Sequence, residues 1–291
     1  MNIVNIVIDQ EAQQIKMNPP SSGLPENVHI IPLGHEIDRA VKPLLKTKAD
    51  RVHLLAIAPG AELDPVMKEK QMNYTQKVTA RLEKQKIPVQ FHAVDLFDTL
   101  EVMKKVSRII VQEKEKGNIV YVNMSACGRK TSFAVTIAAM FHDTAVYYVA
   151  ADSYATGVNS IKESDHGMSI VESGNVELLQ QFRIMKPDET NIALLAELYR
   201  RKSNGKPDMK SDDIIDFFNQ MNVHGFKVKP EDKRKDERLK LKRALLNRIN
   251  RTHLEGLEKQ KYIEKKKVGK EFFVTITEAG SHIACVSGLI D

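Results

Sequence analysis

The 291-residue sequence lacks tryptophan altogether, and aromatic residues make up only 6% of it. Its two cysteines, Cys127 and Cys285, lie far apart in the chain, which excludes a disulfide framework and a cysteine-rich zinc site. No apolar run approaches the ~20 residues that a membrane span needs. The first nine residues also lack a cationic lead and a signal cleavage site. We therefore expect an intracellular, cytoplasmic protein that does not contact a membrane.

Positive charge is concentrated in one part of the chain. The whole sequence has a net charge of +6, but residues 227–270 hold 17 Lys and Arg against 7 Asp and Glu, a local excess of +10. The remaining residues carry −4. Such an imbalance is typical of a domain that binds a polyanion, and a solvated lysine-rich face is the alternative interpretation.

The first half of the chain alternates between short β-rich apolar runs and helical patterns. We predict strands at 28–33, 51–58, 88–94, 119–122 and 145–150, with helices at 35–45, 64–86, 98–116 and 127–141. Segments 2–8 and 167–173 are candidates for further edge strands. Alternation of this kind indicates an α/β fold, a Rossmann-like parallel sheet covered on both faces.

The pattern changes after a linker-like segment at 182–191. Short amphipathic helices are predicted at 191–202 and 212–221, followed by a helical region at 236–263 in one or two pieces. Two β-rich stretches then flank Val268-Gly269-Lys270, whose turn chemistry predicts a hairpin. Helices followed by a two-stranded ribbon are the order of a winged helix-turn-helix. We therefore expect a ligand-sensing domain at 1–180 and a winged domain at 188–291.

The stretch "NMSACGRKT", residues 123–131, joins the fourth predicted strand to a helix. Ligands of open parallel sheets bind beyond the carboxyl ends of the strands. Helix amino termini attract anions because their first N–H groups are unpaired. Small residues, hydroxyls and cations coincide here, which predicts a phosphate cradle formed by Ser125, Gly128, Arg129, Lys130 and Thr131. The alternative is a tight turn whose cations lie in solvent.

This stretch does not match the nucleotide-hydrolysing P-loop. That motif needs glycine at the places that Met124 and Arg129 occupy here. Cys127 would be a reactive thiol at a helix start or, more commonly, a packed side chain. The sequence shows neither a metal-ligand set nor a cofactor motif, and Ser125 has no identified base.

A second loop, Leu33 to Glu36, follows the first strand and should reach the same sheet edge. Gly34 and His35 are its candidate ligand contacts, and His35 would otherwise cap a helix or pack. For Asp38 and Arg39 we favour an ion pair that orients the following helix. Tyr154, after the fifth strand, would stack on a base or lie partly buried with a bonded hydroxyl.

The segments "VHIIPLGHEIDRAVKPL", "ADRVHLLAI" and "IVYVNMSACGRKTSFAVTIAA" resemble the CRISPR-associated Rossmann-fold (CARF) domain, in particular archaeal transcription regulators that join it to a winged helix-turn-helix. The resemblance covers about 28–175 and, more loosely, 190–285. It implies an antiviral-defence homodimer whose loops after the first and fourth strands bind a cyclic oligoadenylate, often the tetramer. Carried over, the ligand-binding positions are Gly34, His35, Ser125, Gly128, Arg129, Lys130 and Thr131.

The basic region supplies candidate contacts to double-stranded DNA. An apolar stripe predicts the packed side of its helix: Leu241, Leu245, Leu246 and Ile249. The predicted recognition helix spans residues 247–259, and its groove contacts are Asn247, Arg248, Asn250, Arg251 and His253. The wing tip would add Lys266, Lys267 and Lys270. The alternative is a winged domain used for dimerisation or for another protein contact.

These observations lead to one main hypothesis and two rivals. The main one is a dimeric regulator in which a cyclic oligoadenylate, by preference cyclic tetra-adenylate, alters DNA binding. One rival is a metal-independent nuclease that cleaves the ring, with catalysis by Ser125, Arg129, Lys130 and Thr131. The other is a protein whose C-terminal domain recruits a protein partner.

Overall fold

The computed structural model describes residues 24–57, 64–155, 165–180, 184–223, 235–269 and 271–290. The chain divides into two compact units, one of residues up to 102 with 109–182, the other of residues 103–108 with 183–291. Within the described ranges, no helix has both the length and the apolar character needed to cross a membrane.

The N-terminal unit is built on a six-stranded sheet in the order β3-β2-β1-β4-β5-β8, in which β8 is the short strand Glu177–Leu178. The first five strands in chain order are parallel to their neighbours: β1 (Asn27–Pro32), β2 (Arg51–Ala56), β3 (Val89–Ala93), β4 (Ile119–Asn123) and β5 (Ala145–Tyr148). In both β1 and β2, five consecutive residues are buried. Since neighbouring side chains point to opposite faces, this sheet is covered on both sides, as predicted.

Four helices connect these strands: α1 (Asp38–Thr47), α2 (Pro65–Lys84), α3 (Thr99–Glu115) and α4 (Arg129–Phe141). Helix α2 begins with the Asp64 carboxylate accepting from the N–H groups of Val66 and Met67, and Pro65 occupies the first turn. Asp98 caps α3 in the same way. Local capping chemistry therefore sets where the two long helices begin.

One prediction about edge strands needs correction. Residues Ser169–Ile170 do form a strand, β7, but it pairs with β6 (Ser153–Tyr154) in a separate two-stranded sheet. The edge beyond β5 is instead β8 (Glu177–Leu178), which runs antiparallel. A two-residue strand leaves no periodic pattern, so it could not be predicted. The predicted strand at 2–8 lies outside the described residues.

The C-terminal unit has the order of a winged helix-turn-helix. Its elements are α5 (Glu189–Ser203), β9 (Asp208–Lys210), α6 (Ser211–Gln220), α7 (Lys235–Ile249), a π-helical turn (Asn250–Leu254), α8 (Glu255–Lys259), β10 (Ile263–Val268), β11 (Glu271–Ile276) and α9 (Glu278–Val286). The antiparallel sheet runs β10-β11-β9, and Val268 pairs with Glu271 across the hairpin. The predicted fold class, a Rossmann-like domain followed by a winged helix, is confirmed.

The predicted apolar stripe lies in the core of this unit. Leu245 and Ile249 are buried, and Leu241 and Leu246 pack against the same cluster. The helical region has two α-helical pieces, one of the two arrangements predicted. The π-helical turn joins them without a break.

Candidate functional site

The two predicted loops meet at the middle of the large sheet. Strands β1 and β4 are neighbours there, at the point where the strand order reverses, which is where open α/β sheets bind ligands. The N–H of Gly34 donates to the carbonyl of Ala126 at 2.7 Å. A Cβ at Gly34 would lie 3.4 Å from that oxygen and from the Cα of Cys127, so the two loops are in close contact.

A cavity of about 240 Å³ opens between these loops. Four of the predicted ligand-binding residues line it: Gly34, His35, Gly128 and Thr131. The rest of its wall was not predicted and is mostly apolar, formed by Glu36, Ile57, Met67, Gln71, Leu96, Phe97, Cys127 and Met168. Several of these come from α2 and from the segment after β3, which sequence patterns did not bring to this edge.

His35 both packs and faces the cavity. Its ring stacks on that of Tyr74 in α2, with centroids 5.1 Å apart and planes inclined by 23°. The contact fixes the imidazole at the cavity wall, where its flat face is of the kind that bases stack on.

Asn123 shapes the turn between β4 and α4. Its Oδ1 accepts from the N–H and the hydroxyl of Ser125, both at 2.8 Å, and its Nδ2 donates to the carbonyl of Arg39 at 2.9 Å. The Ser125 hydroxyl in turn accepts from the N–H of Val149 at 3.1 Å. The structure therefore does not bring Ser125 to the cavity: its hydroxyl is buried and holds the turn.

Thr131 is also engaged internally. Its hydroxyl donates to the carbonyl of Leu96 at 2.8 Å, and the residue is 4% exposed. This bond ties the first turn of α4 to the segment that carries Phe97. Thr131 thus lines the cavity while its proton is already used.

The amino terminus of α4 is exposed and has no side-chain cap. Gly128 is its N-cap, no side chain caps the first turn, and that turn holds no acidic residue. Gly128, Arg129 and Lys130 are all exposed. The Nζ of Lys130 lies 3.3 Å from the carbonyl of Phe97, at the rim of the cavity. Uncapped N–H groups and two cations therefore lie together at this turn, an arrangement that suits an anion.

Two carboxylates behind the first loop were missed as site residues. Glu36 lines the cavity and is 8% exposed, and burial raises its pKa. Asp38 is fully buried; its Oδ2 lies 2.9 Å from both Lys42 Nζ and His166 Nδ1. Hydrogen bonds over a long sequence separation create this cluster, so only the pair of acids in "GHEIDR" pointed to it.

The ion pair predicted for Asp38 and Arg39 does not join these two residues, because each has other partners. Asp38 pairs with Lys42 and His166, whereas Arg39 lies 3.4 Å from Glu36 and donates to the Tyr148 hydroxyl at 3.2 Å. Neighbouring residues on a helix point in different directions, so Asp38 and Arg39 do not face each other.

Two candidates of the N-terminal unit remain, Cys127 and Tyr154. Cys127 is packed: its thiol donates to the Met124 carbonyl at 3.7 Å, and burial raises its pKa to about 12. Tyr154 is 60% exposed in β6 and does not line the cavity. Across the described ranges, no three potential metal ligands cluster.

The predicted DNA-contact residues separate into two groups. Asn247, Arg248 and Arg251 are exposed. Asn250 and His253 are partly buried and bonded to other side chains of the winged unit, which the prediction did not anticipate. The amide of Asn250 donates to Glu255 at 2.6 Å and accepts from Lys265 at 2.9 Å.

His253 packs against other residues of the winged unit. Its Nδ1 lies 3.0 Å from Asn191 Oδ1, its ring packs 4.7 Å from that of Phe218, and burial lowers its pKa. The π-helical turn at 250–254 widens the helix and shifts the phase of the side chains that follow. In the wing, Lys266 and Lys267 are exposed, and Lys270 lies outside the described residues.

Fold and site together define a class of protein: a Rossmann-like domain with a cavity at its switch point, followed by a winged helix. Residues 27–154 match the family model described as "HFX_2341_N:-like, N-terminal". Residues 190–288 match the model described as "DUF6293 C-terminal winged helix domain". The two-domain resemblance predicted from the sequence is confirmed at this level.

Solved structures match over most of this chain, at low identity. They include protein VC1899 from Vibrio cholerae, at 16% identity over 90% of this chain and 65% of that one, with a TM-score of 0.36. Enterococcus italicus Csm6 bound to cyclic hexa-2'-fluoro-hexa-dAMP matches at 12% identity over 81% and 58%, with a TM-score of 0.39. Can2 from Sulfobacillus thermosulfidooxidans in complex with cyclic tetra-adenylate matches at 12% identity over 88% and 61%, with a TM-score of 0.35.

The chain therefore spans less than two thirds of the length of each of these structures. TM-scores below 0.5 do not support an inference about function. No curated protein matches the sequence.

Proposed function

We propose that this protein is a ligand-responsive DNA-binding regulator: its N-terminal unit binds a cyclic oligoadenylate, and its C-terminal unit binds double-stranded DNA. The observation that carries the proposal is the contact between the β1 and β4 loops, which sets an uncapped helix terminus with Arg129 and Lys130 beside a mostly apolar cavity.

The two parts of this site suit the two parts of a nucleotide. Phosphates would lie on the N–H groups and cations of α4, and a base would enter the cavity. In a two-fold homodimer each loop occurs twice, so Arg129 and Lys130 of both chains would present four cations. That arrangement suits a cyclic tetra-adenylate, whose four phosphates form a ring.

The winged unit carries its charge on one exposed helix face. Lys240, Arg243 and Asn247 follow one another at intervals of three and four residues, and Arg248 and Arg251 continue the face. Together with Lys266 and Lys267 of the wing, this surface suits the phosphates and the major groove of DNA.

Regulation requires that the ligand bind more tightly to one arrangement of the DNA-binding units than to the other. The two functions can therefore be tested separately and then together. A ligand that altered neither the affinity for DNA nor its salt dependence would leave two unconnected binding domains.

The nucleotide site is tested by the double substitution Arg129→Ala with Lys130→Ala. Both side chains are exposed, so the fold should persist. We expect calorimetry to show that cyclic tetra-adenylate no longer binds, while DNA binding without ligand is retained. The control, Lys84→Ala with Lys202→Ala, removes two exposed charges elsewhere. Unchanged nucleotide affinity in the double variant at 129 and 130 would refute the assignment of the cradle.

The DNA surface is tested by fluorescence anisotropy over a series of salt concentrations. Arg251→Ala should weaken binding and lower the slope of log K against log salt by about 1, because one phosphate contact is lost. Lys202→Ala removes a charge from α5, outside the proposed surface, and should leave the slope unchanged. Equal slopes for the wild-type protein and Arg251→Ala would count against this helix face.

The rival hypothesis, cleavage of the cyclic oligoadenylate, can be tested with the same protein preparations. The hydroxyls of Ser125 and Thr131 are engaged within the protein, which supports binding without cleavage. Incubation with cyclic tetra-adenylate in EDTA should leave the ring intact, and linear products would favour the nuclease alternative. Recruitment of a protein by the winged unit stays a prediction, and failure to bind DNA at low salt would favour it.

A further inference from the structure

We propose that Glu36 is a specificity-determining residue, which accepts a hydrogen bond from the exocyclic amino group of a bound base and so selects adenine over keto purines. The inference rests on the proposed function, since it concerns which base enters the cavity beside the cradle.

The cavity has the size and character of a slot for one base. Its volume of about 240 Å³ lies below the roughly 300–1,000 Å³ of pockets that enclose drug-sized ligands. Met67, Phe97 and Met168 give it an apolar wall, and His35 adds the ring stacked on Tyr74. The cations of α4 do not line it: Arg129 and Lys130 are exposed at its rim. Phosphates and base therefore have separate places.

Glu36 is the acidic residue among those that line this mostly apolar wall. Its Oε1 accepts from the hydroxyl of Ser169 at 2.7 Å and lies 3.4 Å from Arg39 Nη1. Its Oε2 accepts from the N–H of Ser169 at 3.0 Å. Each carboxylate oxygen has two lone pairs, so Oε1 is fully used and one acceptor position remains on Oε2.

Glu36 accepts from Ser169 at both oxygens and lies beside Arg39, which is the pattern of an ionised carboxylate that can only accept. Three donors from Ser169 and Arg39 point at its two oxygens, opposing the burial that raises its pKa.

An acceptor at this place discriminates between purines. Adenine presents its N6 amino group as a donor, whereas guanine and hypoxanthine present the O6 acceptor at the same ring position. A keto oxygen facing the Glu36 carboxylate would be repelled, and both acceptors would lose water without gaining a donor. The bound ligand should therefore carry adenine, which agrees with an oligoadenylate.

The experiment compares cyclic tetra-adenylate with the same ring carrying hypoxanthine, in which O6 replaces the N6 amino group and N1 gains a proton. By calorimetry on the full-length wild-type protein, the hypoxanthine ring should bind about 5- to 150-fold more weakly. Glu36→Gln should narrow the difference to within about threefold, because an amide can turn its donor toward O6. Glu69→Gln, at an exposed position of α2, is the matched control and should discriminate as the wild type does.

Failure of the inference and failure of the proposed function are distinguishable. If the wild-type protein binds both rings equally, the role of Glu36 is refuted while the function stands. If it binds neither ring, the proposed function fails, and the inference fails with it. Thermal melting followed by circular dichroism checks that Glu36→Gln is folded. Should that variant not fold, the comparison on the wild-type protein still decides.

Discussion

Gly167 is the position at which a single methyl group should do most damage to the site. Its φ is +86°, in the region that L-residues avoid. It forms a β-bridge with Glu36, and an added Cβ would lie 2.6 Å from the backbone nitrogen of Ile37, 2.8 Å from the Cα of Glu36 and 2.9 Å from the carbonyl oxygen of His35. All three atoms belong to the backbone of the first loop, so no side chain can move aside.

The cost of Gly167→Ala has two parts. The left-handed conformation costs an L-residue about 1–2 kcal/mol. Overpacking against the loop adds about 1–3 kcal/mol. We therefore expect the free energy of unfolding of the N-terminal unit to fall by about 2–5 kcal/mol. Relief of the clash would displace the loop that holds Gly34 and His35, so nucleotide binding should weaken as well.

Gly117→Ala is the matched control for this substitution. Gly117 has nearly the same φ, +84°, but an added Cβ there would meet nothing within 4 Å. It should cost only the conformational part, about 1–2 kcal/mol. Since the chain has two compact units, local stability is best measured by hydrogen exchange of peptides covering β1 and its loop. If Gly167→Ala destabilises those peptides no more than Gly117→Ala, the contact inferred here is absent.

Two further predictions concern stability. In the winged unit, Gly280→Ala should destabilise by about 1–3 kcal/mol, because a Cβ would press on the Tyr262 carbonyl, whereas Gly256→Ala in α8 has open space and should stabilise by about 0.5–1 kcal/mol. Urea unfolding of both variants checks the opposite signs, and a loss of stability in both would contradict the reasoning. In the N-terminal unit, burial lowers the pKa of His29 and of His53 to about 4, so the unfolded chain binds more protons below pH 6.5. Stability should fall as pH drops from 6.5 toward 4, by up to about 1.4 kcal/mol per pH unit for each histidine, and His29→Gln should flatten the profile.

The parts of the fold that were predictable are those with a local cause. The long apolar strands, such as β1 and β2, alternate with capped helices. Each of these elements was predictable because its pattern lies in residues that are neighbours in the sequence. The cradle was equally local, since Gly128, Arg129 and Lys130 follow one another at a strand-to-helix turn. Strand β8 is too short to leave a pattern.

The parts that were not predictable depend on contacts between distant segments. Glu36 faces the cavity because Ser169 fixes its carboxylate from more than a hundred residues away. Ser125 was expected at the ligand, but Asn123 and Val149 hold its hydroxyl inside the turn. His253 was expected at DNA, but it lies four residues after the buried Ile249, a spacing that already belongs to the packed side of the helix.

The central claim is that the loops after β1 and β4 bind a ring of adenylates. Isothermal titration calorimetry of the wild-type chain against cyclic tri-, tetra- and hexa-adenylate tests it most directly. Saturable binding of at least one ring, tightest for the tetramer and with one ring for every two chains, is the result that we predict. Absence of binding heat for all three rings at concentrations that saturate a nucleotide sensor would contradict it.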